Sequence, residues 1–192
     1  MGITTDNFFE NIYSVIFSPK QFFERKDLNI SLRLAIATIV FIAIMTKTTM
    51  GIFDGSVLHW TFIFLLIWNI ISIVFLWFLT ALFFEYIAKI FDRSGKLKEL
   101  LFFTAFAPIP YIFFAPLDLL KNAGEFGYII SAVVEFLIYI WIIYLYILSL
   151  KSVYNISNAR ACMMILIPFI SSFFAIYWIV GFVSKLWYIF SV

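Results

Sequence analysis

The sequence predicts an all-α fold: a polytopic transmembrane helical bundle of five spans, preceded by a short amphipathic N-terminal helix. Three observations lead there. Of 192 residues, 65% are apolar and only 12% charged, against about half and about a quarter in soluble domains. Uncharged runs of bilayer-spanning length recur along the chain. The Lys and Arg residues cluster in segments that five crossings would gather on one side. A chain this short has too little interior to hide 26 Phe, 10 Tyr and 6 Trp from water, so most of these rings face lipid or a neighbouring helix.

Residues 1–29 form a cytoplasmic segment ahead of the membrane domain. Phe8, Phe9, Ile12, Val15 and Ile16 fall at helical spacing, with Asp6, Glu10, Asn11 and Ser14 on the other face. The stretch Thr5 to Phe17 is too short and too polar to span, and Ser18-Pro19 ends it before the aromatic Gln21-Phe22-Phe23. Two placements stay open: a helix lying on the membrane surface, or one packed on the protein's own loops. Acids at Asp6 and Glu10 precede any long apolar run, unlike a cleavable signal peptide, so the first span is expected to be retained. Gly2 lacks the Ser or Thr that a myristoylation pattern wants where Asp6 stands.

A hydrocarbon core of about 30 Å needs roughly 20 apolar residues per helix, which sets five spans at approximately 30–53, 60–88, 98–117, 126–150 and 160–184. Within the last four lie the runs Trp60 to Phe84, Leu100 to Leu117, Phe126 to Leu150 apart from Glu135, and Ala161 to Ser184. In the first, Arg33 and Lys47 bracket only Leu34 to Thr46, so it spans if both cations snorkel. No repeat, low-complexity tract or linker divides 30–192, which reads as one membrane domain.

Orientation follows from the basic residues. Lys20, Arg25, Lys26, Arg33, Lys89, Arg93, Lys96, Lys98, Lys151 and Arg160 share one side; only Lys47, Lys121 and Lys185 fall on the other. The positive-inside rule then puts the N-terminus in the cytoplasm and the C-terminus outside, in a multi-pass protein of the cell membrane. Four or six spans would dissolve the asymmetry. The loop Lys89 to Glu99 is the most polar segment between spans and is expected to meet lipid headgroups or a protein partner.

Glu135 stands about 14 Å into the fourth span, close to the bilayer midplane. A charge at that depth costs roughly 3 kcal/mol on insertion scales, so the side chain is expected to face the bundle. Tyr128, Ser131, Glu135, Tyr139, Tyr146 and Ser149 fall along one side of this helix, and Thr61, Asn69, Ser72 and Thr80 make a similar seam on the second span. If the seams face each other, Asn69 and Ser72 are the natural partners of Glu135, since no span interior offers a well-placed Lys or Arg. Glu135, Asn69, Ser72, Ser131 and Tyr139 thus form a candidate intramembrane polar site. Two readings remain: a proton or cation site in a small transporter or channel, or polar glue between helices.

Other residues point to structure. Glu85 at the end of the second span is expected to pair with Lys89 one turn on. His59 beside Trp60 reads as an interfacial anchor, with no second His or Cys near it in sequence to build a metal site. Pro108 and Pro110 kink or break the third span, either lining a substrate path or simply accommodating packing, and Pro168 kinks the fifth. The single cysteine, Cys162, rules out an internal disulfide and reads as a small buried side chain. No phosphate loop, nucleophile elbow or paired metal motif occurs, so neither an enzyme nor a cofactor is expected. A net charge of +2 with no basic block excludes nucleic acid as a partner.

Three stretches together resemble the Yip family, named for proteins that interact with Ypt/Rab GTPases. They are Ser18-Pro19-Lys20-Gln21-Phe22-Phe23, the region Gly95 to Pro108, and Tyr154-Asn155-Ile156-Ser157-Asn158-Ala159-Arg160-Ala161. The resemblance implies a Pro-aromatic segment before the membrane domain, a Pro-containing third helix and a small-residue loop into the last helix. Eukaryotic relatives carry a longer N-terminal region with an Asp-Leu-Tyr-Gly-Pro type motif, absent here, so no functional residue carries over; the short form resembles the bacterial and archaeal branch. The resulting expectation is a scaffold or membrane-organising, trafficking-type protein. Its partners would be the bilayer, a protein at the cytoplasmic loops, and a second copy through a lipid-facing side; a small transporter or channel using Glu135 is the alternative.

Overall fold

Lipid offers no hydrogen bonds to the backbone, so a chain of this composition closes its N–H and C=O groups within helices. The computed structural model describes residues 5–25, 30–53, 55–93, 95–121 and 123–191, and no strand occurs among them. The α-helices are α1 (Thr5–Phe17), α2 (Pro19–Glu24), α3 (Leu32–Phe53), α4 (Thr61–Ile90), α5 (Leu97–Phe106), α6 (Phe114–Lys121), α7 (Glu125–Tyr154) and α8 (Asn158–Ser191). Among the described residues, four stretches are long and apolar enough to cross a membrane: Leu32–Ile52, Thr61–Ile90, Leu97–Lys121 and Glu125–Tyr154. The fifth expected span, 160–184, falls within α8, part of whose side chains lie outside the described residues. Helix α3 runs unbroken past Lys47.

The third span is the axis of the molecule. Its most apolar window is 67% buried, against 11% for α4, and every residue from Leu100 to Phe106 is enclosed. Around α5 pack α3, α4 and α7; α6 lies on α7, and α8 on α7 and α4. The core therefore concentrates at the end of the bundle where α5 begins, which is also where most Lys and Arg residues stand, and we call it the basic end. Hydroxyls inside the helices bond back to their own turns, as with Thr38 to the Leu34 carbonyl at 2.9 Å and Thr104 to that of Leu100 at 2.7 Å. This satisfies them without a partner helix. One polar bond crosses from α4 to α5: Trp77 Nε1 donates to Thr104 Oγ1 at 3.2 Å.

Pro108 and Pro110 act as their chemistry dictates. Neither has an N–H to continue the α ladder, so α5 stops at Phe106, the chain tightens into a 3₁₀ turn over Ile109–Phe113, and α6 resumes at Phe114. Pro168 lies inside α8, and the helix continues on either side of it. Between α6 and α7 the backbones nearly touch. A Cβ on Gly127 would collide with the Leu120 carbonyl oxygen, so this crossing requires glycine.

The N-terminal helix packs against the protein itself. It packs on α2 and on the 3₁₀ turn of the third span, and Phe8 meets Phe41, in the middle of α3, edge to face with ring centroids 5.4 Å apart. Phe41 lies nine residues into α3, about 14 Å from the basic end. So α1 lies against the flank of the bundle, between its basic end and the break in the third span. Asn11 and Ser14, expected on the solvent face, are buried, while Phe9, Tyr13 and Phe17 form an outward stripe with one turn between rings. Amphipathic spacing identifies an apolar face, but here the inward face is a mixed one and the outward face carries exposed aromatics.

Candidate functional site

Two regions gather polar groups, one at each end of the bundle. At the basic end, α2 inserts Phe22 and Phe23, both fully enclosed, against Phe103 and Phe106 of α5, with Phe22 and Phe106 centroids 5.0 Å apart. Proline at the first position of α2 presets its backbone and turns the chain back from α1, which aims both rings inward. Ser152 of α7 donates to the Phe23 carbonyl and secures the turn from the other side. Glu85 of α4 accepts from the Gly95 amide and from the Tyr154 hydroxyl. Lys96 donates to the Val153 carbonyl at 2.8 Å.

Gly95, with φ of +84°, presents its amide to Glu85 through a conformation that disfavours a side chain. Asn155 closes α7 in the left-handed region, and its N–H reaches the Lys151 carbonyl at 2.9 Å. The expected pairing of Glu85 with Lys89 is therefore replaced: the carboxylate turns toward two donors that are distant in sequence. A cleft of about 510 Å³ lies here, bordered by Arg25, Lys96, Lys151, Glu24 and Glu99.

At the opposite end, α3, α4, α6 and α7 enclose a cleft of about 590 Å³. Glu135 lies in it, but its partner is Lys121: Nζ sits 2.6 Å from Glu135 Oε1 and 2.8 Å from Asp118 Oδ1. This corrects the expectation that no cation could reach Glu135. A lysine assigned by position to the outer loop has a four-carbon stem, and α6 ends close enough for that stem to run inward.

Of the residues expected to share the site, Tyr139 lines the cleft and Asn69, Ser72 and Ser131 do not. Ser131 bonds to the Tyr128 carbonyl at 2.8 Å on its own helix. Asn69 Oδ1 is buried without a hydrogen-bond partner among the described residues. The two polar seams are held apart, because α4 leans on α3 and α5 and, among the described residues, meets α7 through Glu85–Tyr154 and the Phe84–Tyr146 rings toward the basic end. Sequence reasoning missed Asp118, Lys121 and Tyr111 in this cleft; the spacing Asp118-x-x-Lys121 was the available signal.

A family model described as the Yip1 domain matches residues 13–179, from within α1 into α8. The chain belongs to the Yip1 domain family. No curated protein and no solved structure matches it. The stretches that carry the family resemblance in sequence meet at the basic end: Phe22 and Phe23 on α5, Gly95 on Glu85, and Tyr154 on the same carboxylate. In this Yip1 domain chain the loose motifs are thus the contacts of one polar and aromatic lock.

Proposed function

We propose that this Yip1 domain protein is a membrane-organising scaffold whose working part is the α1–α2 hairpin at the basic end. The observation that carries this reading is the depth of α1. At 13 residues it is about 20 Å long, shorter than a core about 30 Å thick, and it packs between the basic end and the 3₁₀ turn midway along the third span. Its outward stripe of Phe9, Tyr13 and Phe17 adds bulk to a single leaflet. By the basic-residue asymmetry that leaflet is the cytoplasmic one. Apolar insertion into one leaflet couples a helix to curvature and lipid packing. The cations around the nearby cleft would meet anionic headgroups or an acidic surface of a partner protein.

The transport reading is not supported, since Glu135 is paired and, among the described residues that line the cleft, no acid stands on its basic side. The test of the scaffold reading is reconstitution at equal protein-to-lipid ratio of the wild type and a Phe9→Ser, Tyr13→Ser, Phe17→Ser variant, with vesicle diameter read by electron microscopy. Wild-type vesicles are expected to be narrower or tubulated, and variant vesicles to match protein-free controls. Equal diameters for both proteins would refute the wedge.

A further inference from the structure

The cleft at the end opposite the lock carries chemistry that the scaffold reading does not use. Asp118, Lys121 and Glu135 hold one formal positive and two negative charges, and each carboxylate keeps its second oxygen without a protein partner among the described residues. Beside them stand three rings in a triangle, with centroid distances of 5.3 Å for Tyr111–Phe114, 5.0 Å for Phe114–Tyr139 and 6.2 Å for Tyr111–Tyr139. All six residues border the same cleft. Aromatic faces next to spare carboxylate oxygens are the recognition chemistry of an organic ammonium group, which gains from both ring quadrupoles and negative charge.

Most of the remaining wall is apolar, with Ile42, Ile73 and Leu76, and the hydroxyls of Thr46 and Thr80 that border it bond back to their own helices. Its volume falls within the range of small-molecule sites, about 300 to 1,000 Å³. Leu76 and Tyr139 line it and keep about half of their surface exposed, so the cleft is open rather than sealed. A site with an acidic, ring-lined part, a largely apolar run beside it and an open side has the outline of a lipid.

We propose that this cleft binds a single membrane lipid with an ammonium headgroup, the ammonium lying among Asp118, Glu135 and the three rings and an acyl chain lying along the aliphatic wall. The phosphate that accompanies such a head meets Lys121. This site is independent of the α1 wedge, and the two can fail separately.

The test is native mass spectrometry of the full chain in a neutral detergent, titrated with lysophosphatidylethanolamine, with lysophosphatidylglycerol of the same acyl chain, and with free ethanolamine. The ethanolamine lysolipid is expected to bind one to one, the glycerol form about tenfold more weakly, and free ethanolamine not to compete. The Asp118→Asn, Glu135→Gln double variant should bind the two lysolipids equally. Lys121→Met leaves two facing carboxylates, so its thermal stability should fall and be recovered by the ethanolamine lysolipid but not by the glycerol one. That recovery keeps the test decisive if the double variant does not fold. Equal affinity of the wild type for both lysolipids, or equal recovery by both, would reduce the trio to an ion pair between α6 and α7. Full competition by free ethanolamine would make it a site for a soluble amine and overturn the lipid assignment.

Discussion

Glu85 holds together three pieces of chain that the sequence keeps apart. Its two oxygens accept from Gly95, ten residues on, and from Tyr154, sixty-nine residues on, so the end of α4, the loop after it and the end of α7 are fixed relative to one another. The Tyr154 side chain is enclosed, and its hydroxyl donates to a carboxylate, a bond in the stronger class of about 1.5 to 3 kcal/mol. Tyr154→Phe should lower stability by that amount, read as thermal unfolding in detergent. Glu85→Gln should cost a similar amount, and the double variant should fall short of the sum, because both changes break one interaction. Additive losses would mean that the two residues act separately. At this scale the sequence was a poor guide. The i, i+4 spacing of Glu85 and Lys89 is a local rule, and it yields to a tertiary contact that no local rule contains.

The helices themselves were legible, and for a physical reason: the bilayer leaves the backbone one solution, so an uncharged run of sufficient length is a helix. The break in the third span was equally legible, because proline removes an N–H wherever the chain goes. What could not be read was how elements lean on each other. Helix α1 has an amphipathic pattern that states which residues are apolar but not what covers them, and Asn11 and Ser14 turned inward. Helical spacing puts Asn69 and Ser72 on a polar seam that could face Glu135, whereas α4 packs on α3 and α5. The α6–α7 crossing depends on a glycine whose role helical spacing also misses. Gly127→Ala must push α6 away from α7, since a methyl there meets backbone and not a movable side chain. The expected loss is about 1 to 3 kcal/mol, the usual range for overpacking, in thermal unfolding in detergent. The control is Gly181→Ala in α8, where an added methyl meets nothing within 4 Å and stability should hold or rise slightly through helix propensity. Equal behaviour of the two variants would show that the crossing tolerates separation.

For the whole molecule the open quantity is the number of crossings, and we propose five. Four helices meet the length and hydropathy of a span among the described residues. The fifth, α8, starts at the basic end beside the close of α7 and runs 34 residues, about 50 Å, which exceeds a core of about 30 Å. Its start carries Arg160 and its distal part carries Lys185, cations suited to the two interfaces of a crossing helix. With five crossings, ten of the thirteen basic residues share the cytoplasmic side with the α1–α2 hairpin. The check uses epitope tags at each terminus and antibody access in intact and then permeabilised cells. The N-terminal tag should become reachable only after permeabilisation, and the C-terminal tag should be reachable before it. Two protected tags would mean that α8 folds back along the cytoplasmic surface, and the count of five crossings would fail. A reversed pattern would keep five crossings but move the hairpin to the outer leaflet, and the wedge would then act on the opposite face of the membrane.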